Sequence, residues 1–408
     1  LVPGVQAPLG YQDVGGADGN RWQTLKVHGS RDDQMPLLLN GLSINNMNNT
    51  GGGYNHTLAI NTGTVQEMTV TTSGSTAEVK TSGVVANTVA KDGGNVFTGY
   101  FYTDFTNSSL QSNNLSQDLI SQGLTSANHV KRIVEVNPTV GGPIIKNKVF
   151  FFLNPEFQTL NSPSSGWFIG GPYSGLPPAA DVTRLQTLLG ALGYKGVGDG
   201  SQRANTNPLT NGFFRLDFQG LPWNSTLTIR DNYGHADQDV FSRGTSGTLA
   251  LTDNGYTFKS DKNAVVAQLK SAFSNGTYNE LYLGVTHIRD ARVTFIDATS
   301  PMVTARSSLS AVSLVAGAER SSQANQLDQD ILEVTDSLTL VRGKHTFTVG
   351  TSNQFFKFRN LFIRDNFGTY SFSSLANFAA GLAQSYDLSY SATSDPKQGS
   401  APTTRRSG

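Results

Sequence analysis

The sequence predicts a mainly β fold in two parts, a small compact domain followed by a larger set of antiparallel strands. Three observations support this prediction. Short apolar runs alternate with polar residues at the period of two that marks half-buried strands. Tight turns join these runs in pairs, whereas long polar stretches separate one pair from the next. The composition also changes at about Asn95, from small residues before it to aromatic-rich runs after it.

The first part contains short strands around a long polar loop. Met35–Leu39 is a strand candidate that runs into Asn40-Gly41, a pair that favours a tight turn. Val65–Val70 alternates as a half-buried strand does, and Val84–Ala90 is a second small apolar run. A Lys-Asp-Gly-Gly-Asn turn then leads to the aromatic strand Phe97–Phe105. We therefore expect a domain boundary at this turn.

The polar loop at 43–64 contains, at 43–54, the best candidate for a ligand-facing surface. It is rich in Asn and Gly and longer than most connections, and such loops are usually either functional or mobile. Its amide groups suit recognition of a polar solute, although a disordered surface loop explains the same composition. The candidate ligand-binding residues are Asn45, Asn46, Asn49, Tyr54 and His56.

The second part is a series of hairpins. Asn137–Leu153 reads as one hairpin, and an irregular insert at 161–211 follows it, with a short helix at Ala180–Leu192. Three more hairpins then follow, built from 213–218 with 226–233, 264–273 with 279–288, and 330–340 with 345–350. The turns inside the hairpins are short, whereas 234–262 and 289–325 between them are long. We therefore expect short turns at one end of the sheet and long loops at the other.

The strand faces favour a membrane barrel over a soluble sandwich or a solenoid. Val265, Leu269 and similar residues alternate with polar ones such as Gln268, and only 15% of all residues are charged. Aromatic residues occupy predicted strand ends, as in the belts of membrane barrels; they are Tyr100, Phe150–Phe152, Tyr278 and Phe355–Phe358. The sequence has no apolar run long enough for a transmembrane helix.

Composition and spacing disfavour several other functions. Lys and Arg together number 30, as do Asp and Glu, so the chain lacks the basic excess of a nucleic-acid-binding protein. It has no cysteine, and its six histidines are not spaced as metal ligands. No nucleophile, base and orienting group fall together in a known pattern. We therefore expect no catalytic residue, no metal site and no cofactor.

Several stretches, in this order, are similar to one family. A Leu-Leu-Leu-Asn-Gly strand and turn, a glutamate-bearing strand, a Lys-x-Gly-x-Asn segment and a Gly-Gly-Pro-Ile-Ile-Lys-x-Lys hairpin lie at 37–41, 65–70, 83–95 and 141–152. The aromatic strand at 97–105 and the segments at 342–347 and 370–375 continue the pattern. Together they resemble TonB-dependent outer-membrane receptors, in the branch whose plug often follows a carboxypeptidase-regulatory-like domain. The chain departs from that family at Thr71–Thr76, where an Arg-Gly-Pro element is common.

The resemblance implies a plug domain over residues 1–95 and the N-terminal part of an outer-membrane β-barrel, with long extracellular loops, over 96–408. Barrels of outer-membrane transporters have about 22 strands, and the pattern after Asn95 supplies about ten to twelve, so we expect an incomplete barrel here. The implied function is uptake of a scarce nutrient, which could be a siderophore, an oligosaccharide or a peptide, across a Gram-negative type outer membrane.

The implied partners are outer-membrane lipid and TonB with its inner-membrane energising complex, reached through a segment outside this chain. No nucleic acid is expected. The residues leave two alternatives open, a surface-exposed or secreted all-β adhesion or structural protein and, less favoured, a carbohydrate-active surface enzyme.

Overall fold

The computed structural model of the protein describes residues 61–73 and 84–391, except 114, 122–128, 165, 172–174, 242–246, 274–275 and 310. It also describes four short pieces at 5–6, 26–27, 37–43 and 403–407. No helix within these ranges has the length and apolar character needed to cross a membrane.

The described residues form mainly strands, with three short α-helices. The strands are β1 (Val5–Gln6), β2 (Lys26–Val27), β3 (Leu37–Leu39), β4 (Leu42–Ser43), β5 (Val65–Thr71), β6 (Val85–Ala90), β7 (Thr98–Asn107), β8 (Arg132–Ile145), β9 (Val149–Pro163), β10 (Ala204–Leu221), β11 (Ser225–Val240), β12 (Thr248–Ala250), β13 (Tyr256–Phe273), β14 (Thr277–Thr294), β15 (Met302–Arg306), β16 (Ser313–Ala316), β17 (Asn325–Arg342), β18 (His345–Phe362), β19 (Thr369–Phe372), β20 (Ser385–Asp387) and β21 (Thr403–Ser407). The helices are α1 (Gln117–Ser121), α2 (Ala179–Ala191) and α3 (Leu375–Ala379).

A small mixed sheet with the order β4-β3-β6-β5 forms what we call the inner domain, together with residues 61–64 and 91–95. Strand β3 pairs in parallel with β6, and β5 pairs antiparallel with β6. The turn between β3 and β4 is the predicted Asn40-Gly41 pair, and both residues have positive φ, at 49° and 85°. Its geometry confirms the turn that the sequence predicted. Strands β1 and β2 form a separate two-stranded ladder.

Ten strands form one antiparallel sheet, which we call the wall, in the order β7-β8-β9-β10-β11-β13-β14-β17-β18-β21. The hairpins β8–β9, β10–β11, β13–β14 and β17–β18 turn within two or three residues, all at one end of the wall, the turn end. Every other connection is long and lies at the opposite end, the loop end. This arrangement confirms the one-sided loop lengths. Strands β7 and β21 lie at opposite edges of the wall and do not pair with each other in the described part of the chain.

The wall strands are longer than the sequence predicted. Strands β13, β14, β17 and β18 each have 18 residues, so the connections shrink to 241–255 and 295–324. The predicted insert also loses its last residues, because β10 begins at Ala204. Strand β21, which is polar and basic, pairs antiparallel with β18.

The predicted alternation of faces is confirmed. Large exposed apolar side chains point to the outer face of the wall, among them Val265, Leu283, Val285, Leu332 and Val349. Nearer the loop end, the outer face carries charged groups that pair with each other. His235 lies 2.6 Å from Asp261, and Arg289 lies 2.6 Å from Asp330. Because such pairs interrupt the apolar alternation without interrupting the strand, they explain the underestimated strand lengths.

The aromatic residues follow the prediction only in part. Tyr100 and Tyr278 are exposed near strand ends, as a membrane-interface position requires. Phe150 and Phe152, in contrast, are buried on the inner face, where Phe152 packs against the inner domain. The prediction was wrong for these two residues because each alternate position in an aromatic run faces inward.

The long connections at the loop end fold together into what we call the loop cap. Strands β12, β16, β15, β19 and β20 form one five-stranded sheet, and α2 and α3 pack on it. Four separate connections of the wall therefore share one apolar core. The fully buried members of that core include Leu185, Leu189, Leu249, Leu314 and Leu375.

Polar contacts tie the loop cap together across long sequence separations. The Asp181 carboxylate of α2 accepts hydrogen bonds from the Ser307 and Ser308 hydroxyl groups, at 2.5 and 2.8 Å. Arg320 donates two hydrogen bonds to Asp365, at 2.8 and 2.6 Å. Burial alone would raise the pKa of Asp365, but the hydrogen bonds from Arg320 and Thr369 outweigh it and hold that pKa below its ordinary value.

We predict that Leu283→Arg disfavours membrane assembly of the barrel far more than Val293→Arg does. Both side chains are 47% exposed on the outer face of β14, but Leu283 lies in the apolar band and Val293 lies beyond the charged pairs. An arginine costs about 2–4 kcal/mol at the bilayer midplane and about 0–1 kcal/mol near the interface. Heat-modifiable migration on gels measures the assembled fraction of each variant. Equal effects of the two substitutions would contradict a membrane-facing outer surface.

Candidate functional site: the contact between the inner domain and the wall

The inner domain lies against the inner face of the wall, and the contact between them is the candidate functional site. The predicted ligand-binding residues Asn45, Asn46, Asn49, Tyr54 and His56 lie outside the described residues. Within the described ranges, no three His, Asp or Glu side chains are placed to share a metal ion.

An apolar contact joins the two parts near their middle. Phe152 of β9 and Phe213 of β10 are buried, with ring centroids 6.2 Å apart. They pack with residues of the inner domain, namely Leu39, Val84, Ala86 and Ala90. The inner domain therefore shares its core with the wall.

Two arginines of the wall donate hydrogen bonds to backbone carbonyl groups of the inner domain. Arg230 Nη2 lies 2.8 Å from the Leu39 carbonyl oxygen, and Arg215 Nη1 lies 3.0 Å from that of Ala90. Arg215 and Arg230 face each other across β10 and β11. Asp217, next on the inner face, is 2.8 Å from the Arg215 Nε atom and balances part of this positive charge. Arg230 is only 2% exposed, so its charge requires the carbonyl partner.

Polar side chains form a buried cluster near the start of β5. Asn137 donates to Asn61 Oδ1 at 2.6 Å, and Asn61 donates to the Asn154 carbonyl oxygen at 3.0 Å. Asn154 donates to Asn137 Oδ1, which completes a ring of three amides, and Thr64 donates to Asn154 at 3.0 Å. All four side chains are buried. The cluster fixes this end of the inner domain to β8 and β9.

The opposite edge of the inner domain touches the wall at the turn between β3 and β4. A Cβ atom on Gly41 would lie 3.3 Å from the Tyr282 hydroxyl oxygen, and one on Gly284 would lie 3.8 Å from a methyl carbon of Leu42. Within the inner domain, Asn40 Oδ1 accepts a hydrogen bond from the Ala90 amide at 2.8 Å. The turn is therefore hydrogen-bonded within its own sheet, whereas Tyr282 and Gly284 of the wall only pack against it.

The link between the two parts runs along the same contact. The Lys91 ammonium group donates to the Gly63 carbonyl oxygen at 3.0 Å and lies 4.6 Å from the centre of the Tyr100 ring. Gly93 lies so close to the Phe151 carbonyl oxygen that a Cβ atom there would be 2.2 Å away. The Lys-Asp-Gly-Gly-Asn turn of the sequence is thus the connection between the inner domain and the wall.

Sequence reasoning missed the residues that make this contact. Arg215, Arg230, Asn137 and Asn154 each occupy a polar position in an alternating strand, where a solvated side chain is the ordinary interpretation. The one signal was two arginines on neighbouring strands of a low-charge chain. Only the cross-strand register brings them together.

Comparisons with known proteins give one family and one fold. A family model described as "Outer membrane beta barrel domain" matches residues 192–404, slightly more than half of the chain. No curated protein sequence matches the chain.

Solved structures resemble the chain at low sequence identity. The outer membrane transporter YddB from Escherichia coli has a TM-score of 0.59 and 12% identity, over 90% of this chain and 45% of that one. A mutant of the ferric enterobactin receptor PfeA from Pseudomonas aeruginosa has a TM-score of 0.56 and 11% identity, over 90% of this chain and 46% of that one. The siderophore receptor PirA from Acinetobacter baumannii has a TM-score of 0.50 and 11% identity, over 89% of this chain and 45% of that one. The chain thus spans about half the length of these structures, and they confirm the predicted fold, an outer-membrane barrel that is incomplete over these residues.

We predict that Gly63→Ala destabilises the inner domain by about 1–3 kcal/mol. A Cβ atom at this position would lie 2.5 Å from the side-chain oxygens of both Asn137 and Asn154. Gly94→Ala is the matched control, because nothing lies within 4 Å of its Cβ position. Hydrogen exchange of amides in β6 measures the local stability. Equal protection in the two variants would show that the amide cluster does not fix the inner domain.

We also predict that Arg230→Met loosens the inner domain around β3. The substitution keeps the side-chain length but leaves the Leu39 carbonyl oxygen without its donor, at a cost of about 1–3 kcal/mol. Amide exchange in residues 37–43 and 85–90 should quicken by about tenfold. Arg292→Met is the control, since the Arg292 guanidinium stacks on Tyr256 of the wall, 4.6 Å from its ring centre. Unchanged exchange in Arg230→Met would contradict the proposed anchoring.

Proposed function

The chain belongs to the outer membrane beta barrel domain family, and from this premise we propose that it is part of a TonB-dependent transporter for a scarce nutrient. The protein is located in the outer membrane. In this proposal residues 1–95 are the plug, which contains the inner domain, and residues 96–408 are the N-terminal part of the barrel with its extracellular loops. The barrel spans the membrane with the loop end outside.

The observation that carries the proposal is the way the inner domain is held. It lies on the inner face of the wall, and the charged contacts of Arg215 and Arg230 go to its backbone carbonyl groups. Water can replace a donor to a carbonyl group, so such contacts break in a hydrated lumen at a modest net cost of about 0.5–3 kcal/mol each. A domain held in this way can be displaced without unfolding the wall.

The resulting mechanism has three steps. A solute binds between the extracellular loops and the top of the plug, where Asn45, Asn46, Asn49, Tyr54 and His56 are the proposed contact residues. TonB, energised by the inner-membrane complex, then pulls on the plug through a segment outside this chain. The plug shifts away from Arg230 while the amide cluster around Asn154 keeps its other edge attached. No step requires covalent chemistry, so we propose a transporter and not an enzyme.

The known structures with this fold support the same class of function. They are an outer membrane transporter and receptors for siderophores, including ferric enterobactin. These ligands are properties of those proteins. An adhesion or structural role is less favoured, because it gives no reason for a domain held inside the wall.

The test uses the full-length receptor in an outer membrane. We predict that it fractionates with the outer membrane, migrates faster on gels when unheated, and supports uptake of its solute only in cells with functional TonB. Wild-type and tonB-deleted cells that carry the same receptor level provide the comparison. A detergent-independent soluble monomer would exclude the barrel, and equal uptake in both strains would exclude energised transport.

A further inference from the structure

A belt of buried polar side chains crosses the inner face of the wall, between the inner domain and the loop cap. We call this set of residues the lumenal belt. Its members are Glu156, Asn211, Gln238, Lys262, Asp290 and Gln329. Each is at most 6% exposed, although all six are strongly polar. Neither the anchoring of the inner domain nor the core of the loop cap uses them.

The strand register aligns these residues. Glu156 is the cross-strand partner of Asn211, and both Asn211 and Lys262 are partners of Gly234, which lies between them. Gln329 lies in the same row, next to Ile288, the other partner of Lys262. Asp290 and Gln238 occupy the next two rows toward the loop cap.

The height of the belt follows from the same register. On β10, Asn211 precedes the plug-anchoring Arg215 by four residues in the direction of the loop end. Four strand residues span about 13 Å. A solute that has passed the loop cap and not yet reached the inner domain therefore lies at the level of the belt.

The belt contains oxygen atoms that accept no hydrogen bond. These are Asn211 Oδ1, Gln238 Oε1 and Asp290 Oδ2. In Asn211 and Asp290 the other polar atom of the side chain is already hydrogen-bonded. The Asn211 amide nitrogen donates to Glu156 at 2.8 Å, and Ser260 donates to the other Asp290 oxygen at 2.7 Å. A buried acceptor without a donor is unfavourable, so three of them together favour a ligand that brings donors.

We propose that the lumenal belt binds a neutral, hydroxyl-rich solute of the oligosaccharide class, an inference that rests on the proposed transport function. Each sugar hydroxyl group donates one hydrogen bond and accepts others, so it can satisfy the unpaired oxygens and also accept from amide groups. The belt has two carboxylates, Glu156 and Asp290, and one ammonium group, Lys262. The belt therefore has no cluster of basic side chains that would hold an anionic ferric chelate.

Binding to the purified full-length receptor tests this inference. Isothermal titration would use neutral oligosaccharides of glucose, xylose and N-acetylglucosamine, with ferric enterobactin as the anionic probe and a neutral peptide as a third class. The belt variants are Gln238→Leu and Asp290→Asn. Gln268→Leu is the matched control, since both glutamines are 6% exposed on the inner face, but Gln268 donates to Glu280 and Tyr282 and lies toward the turn end.

We expect at least one oligosaccharide to bind, with affinity reduced about tenfold in each belt variant and unchanged in Gln268→Leu. Heat-modifiable migration of each variant checks that it has folded. Binding that is indifferent to the belt variants would overturn the inference, as would binding of ferric enterobactin or the peptide in place of every oligosaccharide.

The failure of this inference is distinguishable from failure of the proposed function. TonB-dependent uptake of an anionic chelate or a peptide would leave the transporter intact and exclude the oligosaccharide class. If no oligosaccharide in the panel binds, the inference is overturned too, whatever the uptake assay shows.

Discussion

Backbone hydrogen bonding in lipid is the constraint on which the rest of this structure depends. A strand that crosses a bilayer has no water to bond its N–H and C=O groups, so it must pair on both sides with other strands. The seven wall strands from β8 to β17 have partners on both sides along most of their length, whereas β18 pairs with β21 only at 354–358. The edge strand β7 pairs only with β8 in the described part of the chain, so in a membrane its other edge needs a further strand.

The same constraint leaves side chains free to differ between the two faces. Because the backbone bonds are made within the sheet, the outer face can be apolar while the inner face carries arginines, amides and carboxylates. Arg215 and Arg230 then hold the inner domain by its carbonyl groups. The wall is stabilised by its ladders, and the inner domain depends on far fewer contacts, so the two parts can differ greatly in how easily they move.

Local chemistry was sufficient to predict much of the fold. The Asn40-Gly41 turn, the alternation of faces in β13, β14 and β17, and helix α2 follow from residues that are neighbours in sequence. The loop cap could not be predicted in this way. Asp181 meets Ser307 across 126 positions, and four connections contribute to one core, so no single loop carries the signal. The roles of Arg215 and Arg230 could not be predicted for the same reason, because they depend on the strand register and on the position of the inner domain.

Viewed along the barrel axis, the chemistry changes in a consistent order. The loop cap is closed by an apolar core and by the Arg320–Asp365 pair. The lumenal belt beneath it is polar but incompletely paired, and at the level of the inner domain beneath that, Asn154 and Arg230 are hydrogen-bonded to the inner domain. In the transport mechanism proposed above, a solute gains hydrogen bonds at the middle level, where acceptors are unpaired, and the inner domain must release its own bonds before the solute goes deeper. In that mechanism binding and passage are separate events, and only passage requires work on the inner domain.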